Sequence, residues 1–359
     1  MDKTELLLQE LCDANGVPGF EGDIRKIMAR ELETTTEELL YDKLGSIVGR
    51  KSGTAEGPRV LVEGHMDEIG FMVKEITSEG YIKFLPLGGW WGHVALGQRM
   101  RIINGKGDVI IGVIGSKPPH LLEPKDRTRV LEIKDMFIDV GTMEKFDVKK
   151  KLGIRVGDPI VPDSQFTVMG NKKVYLAKAF DNRMGCAVAL DVAQKLQRVK
   201  HPNTLYAGGS AQEEVGLRGA FTLAHLVDPD VCFCIDVGVA QDVPPNDFNK
   251  AEKLGGGPSI LIYDASLVPN QALRDLVIDT AEKKKIPYNL TCMERGGGDG
   301  GAIHKSRLGV PTIYIGPPTR YIHTHNAIMY RADYDNTVKL LVEVIKRLDD
   351  KTVKSFTEA

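Results

Sequence analysis

Val60-Leu61-Val62-Glu63-Gly64 runs without a break into His65-Met66-Asp67. Three consecutive apolar residues after the Gly57-Pro58 breaker read as a short strand buried on both faces. Such strands belong to α/β sheets, where groups just beyond the carboxyl end face the ligand crevice. His65 and Asp67 are therefore expected at a site. Residues i and i+2 of an extended segment share a face, which lets Asp67 accept the second ring N–H of His65.

The same texture surrounds this stretch. Upstream, Ile24, Ile27, Met28 and Leu32 recur at helical spacing. Downstream, strands are expected near Lys173 to Ala179, Thr204 to Ala207, Val231 to Ile235 and Pro311 to Ile315. Helical stretches such as Val188-Val192-Leu196 and Val338-Leu341-Val342-Ile345 lie between and after them. Interleaved strands and helices predict an α/β fold with a mostly parallel, helix-covered sheet. From about Ile69 to Pro162 the pattern becomes short β runs, including Tyr81-Ile82-Lys83-Phe84 and Met100-Arg101-Ile102-Ile103, which turns at Asn104-Gly105 into Asp108-Val109-Ile110-Ile111. No helical period is visible there. The expected division is residues 1–68 plus 163–359 as the catalytic domain, with 69–162 an inserted all-β domain. Within it, the proline- and charge-rich stretch Lys117 to Arg129 reads as an exposed loop.

A chain of 359 residues exceeds what one core usually serves, consistent with two domains. Its 42% apolar and 27% charged residues exclude a disordered chain. Lys and Arg number 47 against 49 Asp and Glu, a net charge of −2, so nucleic acid is not an expected partner. The five cysteines, Cys12, Cys186, Cys232, Cys234 and Cys292, are scattered and read as reduced thiols of a cytosolic protein. Acidic residues in MDKTELLLQELCDANG and the lack of a long apolar run argue against secretion and membrane spanning. The expected location is the cytoplasm.

Chemistry-bearing residues recur at the predicted strand ends. Asp181 follows Ala179-Phe180, where an aspartate also fits a helix N-cap. Glu213 and Glu214 follow the strand leading into Ala207-Gly208-Gly209, and adjacent carboxylates repel unless a cation or a shared proton joins them. Asp236 ends the apolar run Val231 to Ile235, while His323 and His325 follow the Pro311 to Ile315 strand. Carboxylates and imidazoles without a thiolate framework suit Zn²⁺, Co²⁺ or Mn²⁺ in an open catalytic site. A surplus of carboxylates suggests two metals with one bridge. Two cations roughly 3.5 to 4 Å apart polarise a carbonyl and supply a hydroxide, leaving one carboxylate as general base. The residues alone do not choose between Glu213 and Glu214 as metal ligand, or between His323 and His325.

Gly64-His65-Met66-Asp67-Glu68-Ile69-Gly70-Phe71, Ala179-Phe180-Asp181-Asn182-Arg183, Gln212-Glu213-Glu214-Val215-Gly216-Leu217-Arg218-Gly219-Ala220, Asp236-Val237-Gly238 and Arg320-Tyr321-Ile322-His323 resemble, in order, metallopeptidase family forty-two. These are the glutamyl and deblocking aminopeptidases with a co-catalytic dinuclear metal site. The resemblance implies that Asp181 bridges two divalent ions, Zn or Co foremost with Mn compatible. It gives His65 and Asp236 to one ion and Glu214 and His323 to the other. Glu213 becomes the general base acting on a bridging hydroxide, Asp67 orients His65, and His325 either backs the metal ligands or is structural. The family further implies short peptide substrates, a barrel-like insertion used in subunit contacts, and a tetrahedral homo-dodecamer. One departure is the stretch Gly296-Gly297-Gly298-Asp299-Gly300-Gly301, where relatives more often carry threonine and alanine beside the aspartate.

Three rival readings fit parts of the sequence. Gly296, Gly298 and Gly301 satisfy a dinucleotide-binding pattern, but Gly309-Val310-Pro311 arrives too soon for its crossover helix. Glu213 and Glu214 superficially suggest a metal-dependent glycosidase, with Trp90-Trp91 available for stacking on sugars, although adjacent residues flank a glycosidic bond poorly. The aromatic pair reads more simply as a patch in the β domain or its interface. A metal-binding scaffold without catalysis is disfavoured by retention of Glu213. His93, His120, His201, His225 and His304 have no ligand-like company and read as surface or core histidines.

Overall fold

The Arg59–His65 strand is the hub of the larger sheet, pairing in parallel with Thr204–Ser210 on one side and Val231–Cys234 on the other. Val60, Leu61 and Val62 are fully buried, as a strand covered on both faces requires. The computed structural model describes residues 1–54, 57–143, 146–245 and 252–357.

Eight strands make up this sheet, in the spatial order Glu38–Tyr41, Ile47–Lys51, Thr204–Ser210, Arg59–His65, Val231–Cys234, Thr312–Gly316, Ser259–Tyr263 and Asn289–Cys292. The central four are mutually parallel. Antiparallel pairs flank them, with Ile47–Lys51 on one side and Ser259–Tyr263 on the other. Helices cover the sheet. Phe180–Leu196 is buried along nearly its whole length and packs against Arg59–His65 and Thr204–Ser210. Its approach is close enough that a Cβ on Gly64 would lie 2.7 Å from the Gly185 backbone, so the strand end before His65 tolerates only glycine. Lys3–Asp13, Gly22–Glu33 and Arg331–Ile345 pack around that central helix and close the main core.

A second sheet orders Thr167–Val168, Val174–Ala177, Ala327–Tyr330, Pro318–Arg320 and Gly238–Val239. The stretch expected to be β-rich forms a closed six-stranded barrel: Gly70–Ile76, Ile82–Leu87, Phe137–Asp139, Val109–Gly115, Arg99–Ile103 and Pro159–Pro162, which returns to the first strand. It has its own core, including Phe71, Val73, Phe84, Met100, Ile102 and Ile138. The Asn104 turn is held by its side-chain oxygen, which accepts the N–H groups of Lys106 at 2.9 Å and Asp108 at 3.0 Å.

This stretch agrees with the all-β barrel-like expectation. It also contains the one-turn helices Gly92–Ala95 and Val148–Leu152, each too short to produce a helical period in sequence. The loop expected near Lys117 to Arg129 is largely exposed and contains two 3₁₀ turns. Among the described residues, no helix is long and apolar enough to cross a membrane.

Candidate active site

Four functional segments leave the carboxyl ends of the four central parallel strands. His65 ends Arg59–His65, Glu213 and Glu214 follow Thr204–Ser210, Asp236 follows Val231–Cys234, and His323 comes after Thr312–Gly316. Asp181 enters from the start of the Phe180–Leu196 helix. The capping role considered for Asp181 belongs to its neighbour: Asn182 Oδ1 accepts the Gly185 N–H at 3.0 Å, and Asn182 Nδ2 donates to the Ile235 carbonyl at 2.6 Å. That leaves both Asp181 oxygens facing imidazoles. His65 Nε2 lies 3.1 Å from Oδ1, and His323 Nε2 lies 3.3 Å from Oδ2.

Each imidazole has its other nitrogen tied to a backbone carbonyl. His65 Nδ1 is 3.1 Å from the Asp67 carbonyl, and His323 Nδ1 is 2.7 Å from the Gly89 carbonyl. With Nδ1–H given to a carbonyl, each Nε2 is aimed at the carboxylates and donates to Asp181, the orientation in which a metal ion takes the place of the Nε2 proton. The Asp67 carboxylate stands farther from His65, at 3.5 Å, and clasps the next segment instead. Its two oxygens accept the N–H groups of Glu213 at 2.9 Å and Glu214 at 3.0 Å. One buried aspartate thus fixes the glutamate pair and, through its main chain, the histidine.

Glu213 Oε2 and Asp236 Oδ1 lie 3.9 and 4.0 Å from His65 Nε2, while Glu214 Oε1 lies 3.6 Å from His323 Nε2. Tyr321 and His323 both take left-handed backbone, with φ of 60° and 55°, which turns the His323 ring inward. Arg320 anchors that turn through Asp242, at 2.9 Å from Nε. His325 is elsewhere: its Nε2 is 3.2 Å from Met100 Sδ and its ring abuts Trp90. Trp90 also stacks on Phe71 and donates to the Gly70 carbonyl, so it belongs to the barrel core, whereas Trp91 is exposed.

The electrostatics are those of a site short of positive charge. Burial, reinforced by Asp181, pushes Glu214 up to about 8 and Asp236 up to about 7. Burial also raises Glu213 well above the ordinary carboxylate range. Burial alone would raise Asp181, but hydrogen bonds from His323 and His65 outweigh it and hold this carboxyl down. Burial opposes protonation of His323, yet Asp181 and Glu214 lift it to about 10. Glu214 Oε1 is buried without a hydrogen-bond partner. Two donor sets lie close enough to share one ion each: His65, Glu213 and Asp236, and His65, Asp181 and Glu214. This donor chemistry fits divalent cations.

The cleft around these groups has a volume of about 510 Å³ and is also bordered by Leu217, Met293 and Arg295. Gly89, Met293 and Arg295 had no signal in the sequence, because their neighbours in the cleft come from remote segments. A further acidic pair, Glu63 and Asp299, lies buried, with Asp299 hydrogen-bonded to Ser210.

A family model described as M42 glutamyl aminopeptidase matches residues 45–340. The glutamyl aminopeptidase of Lactococcus lactis subsp. cremoris MG1363 is 34% identical over 348 residues, covering 96% of this chain and 97% of that one. The TET aminopeptidase structure from the marine sediment archaeon Thaumarchaeota archaeon SCGC AB-539-E09 is 44% identical, with a TM-score of 0.95 over 99% of this chain and 100% of that one. The Pyrococcus horikoshii TET1 peptidase, described as assembling into a tetrahedron or a large octahedral shell, is 27% identical, with a TM-score of 0.84 over 96% of this chain and 100% of that one.

Proposed function

The chain belongs to the M42 glutamyl aminopeptidase family, and from that premise we propose that it removes the amino-terminal residue of short peptides with a dinuclear metal site. The observation that carries the reading is the shared aspartate: two imidazoles, each tethered through Nδ1 to a main-chain carbonyl, present Nε2 to the two oxygens of Asp181. His65 and Asp236 would hold one ion, Glu214 and His323 the other, with Asp181 between. Bound there, Zn²⁺, Co²⁺ or Mn²⁺ would polarise the scissile carbonyl and acidify the attacking water.

The chain's own groups do the rest. Glu214 stands beside His323, and to Glu213, which stands with His65 and Asp236, we assign proton transfer from water to the departing amine rather than metal binding. Asp67 keeps Glu213 and Glu214 in register by holding both N–H groups. The glycosidase reading is weakened by the same clamp, because the two glutamates share one turn and each faces a histidine.

Residues 1–68 plus 163–359 would form the catalytic domain, with 69–162 the inserted domain for subunit contact. Twelve chains would enclose the sites in a tetrahedral particle, a reading supported by one solved relative described as a dodecamer and by the Pyrococcus horikoshii one described as assembling into a tetrahedron or a large octahedral shell. Sedimentation velocity should give that dodecamer, and a monomer at all concentrations would contradict the assembly. Calorimetric titration of metal-stripped protein with Zn²⁺ should saturate at two ions per chain. Saturation at one, or no binding, would overturn the dinuclear site.

A further inference from the structure

Beside the metal-facing carboxylates, a side chamber of about 70 Å³ opens past Asp236 and Met293 into the body of the protein. Leu261, Met293 and Tyr314 supply apolar or aromatic wall, and Ser259, Asp264 and Thr291 supply polar groups. One of those groups has an atom without a hydrogen-bond partner, Asp264 Oδ2, on a residue only 1% exposed, whereas Ser259 Oγ lies beside the buried Glu252 carboxylate. The other Asp264 oxygen is fully used. Oδ1 accepts from Ser266 N at 2.5 Å, Ser266 Oγ at 2.8 Å and Leu267 N at 2.6 Å, which fixes the carboxylate in place. No cation lies within ion-pair distance of Asp264 among the described residues.

A buried acceptor left unpaired costs free energy, more so when it is charged. A carboxylate held rigidly at the wall of an otherwise largely apolar chamber is complementary to a donor that arrives with the substrate. The chamber and the metal-facing groups are one peptide unit apart. A Cβ on Gly298 would lie 3.2 Å from Asp236 Oδ2, and one on the preceding Gly297 would lie 3.5 Å from Asp264 Oδ1. The glycine triplet that departs from the family pattern therefore puts no side chain between Asp236 and Asp264.

Resting on the aminopeptidase reading, we propose that this chamber receives the side chain of the substrate's amino-terminal residue and selects a basic one. At about 70 Å³ the chamber has room for several water-sized groups in a row, which suits a slender, unbranched side chain such as lysine. The methylenes lie along Leu261, Met293 and Tyr314, and the ammonium pairs with Asp264 Oδ2. Arg295, which borders the outer cleft, would instead attract an acidic residue. It is exposed, where water and salt screen its charge, whereas Asp264 acts across a desolvated contact.

The test is a panel of lysyl, arginyl, leucyl and glutamyl anilides hydrolysed by the metal-loaded enzyme and by Asp264→Asn. Asparagine keeps an oxygen for the three Oδ1 hydrogen bonds. The lysyl substrate should be preferred, with the bulkier arginyl one behind it, and the lysyl-to-leucyl ratio of kcat/KM should fall about tenfold or more in the variant. A leucyl or glutamyl preference, or an unchanged ratio in the variant, overturns the proposal while leaving the aminopeptidase reading intact. Failure to cleave any anilide defeats that reading instead. Should Asp264→Asn not fold, the wild-type enzyme decides: calorimetry should show lysinamide binding about tenfold tighter than norleucinamide, and equal affinities would overturn the proposal.

Discussion

Glu213 and Glu214 are neighbours in the chain, yet they meet different partners. Their N–H groups are held by the two oxygens of Asp67, and their side chains diverge to His65 and His323. The sequence shows the pair but not the divergence, which depends on left-handed backbone at Gln212, with φ of 58°, and on an aspartate 146 residues away. Glu213→Gln keeps the size and polarity of the side chain but cannot carry the proton. Turnover should fall about 10²- to 10⁴-fold, with metal content by elemental analysis unchanged. Wild-type turnover in that variant would remove Glu213 from the mechanism.

At the scale of elements, the Ala179-Phe180-Asp181-Asn182-Arg183 string has a scaffolding half. Arg183 is fully buried and donates to the Leu11 carbonyl at 2.7 Å, the Gly16 carbonyl at 2.9 Å and Glu68 Oε1 at 3.1 Å. Lys178, equally buried, reaches the Ala14 carbonyl at 2.9 Å and Glu68 at 2.6 Å. Glu68 thus neutralises two cations that pin the end of the Lys3–Asp13 helix and the loop after it to the Phe180–Leu196 helix. Glu68→Ala leaves both without a counter-charge and should cost about 3–5 kcal/mol in urea unfolding. A loss below about 1 kcal/mol would show that the cluster is not desolvated as described.

Elements were legible where local pattern carried them. The apolar runs at Val60 to Val62 and Val231 to Cys234 are buried strands, and the 188, 192, 196 spacing lies on a helix. The one-turn helices at Gly92–Ala95 and Val148–Leu152 were not legible, since four or five residues carry no period. Barrel closure was equally hidden from spacing, because it joins Phe71 to Ile160 across 88 intervening positions.

For the whole molecule, the site is where the sheet and the barrel meet. His323 owes its orientation to the Gly89 carbonyl, 234 residues earlier and at the edge of the barrel, so the inserted segment helps set the catalytic geometry. Strand-end reasoning pointed to His65, Glu213, Glu214, Asp236 and the His323–His325 pair because the parallel strands deliver their ends to one place, whereas Asp181 arrives from the start of a helix and only the family resemblance favoured His323 over His325. It could not find Gly89 or Asp264, whose roles come from packing between remote segments.

The central claim is metal-dependent cleavage at a free amino terminus. Metal-stripped protein should not hydrolyse aminoacyl anilides. Reloading with Zn²⁺, Co²⁺ or Mn²⁺ should restore hydrolysis of free aminoacyl anilides while their amino-blocked counterparts stay intact. Undiminished activity in the stripped protein, or equal cleavage of blocked substrates, would contradict it.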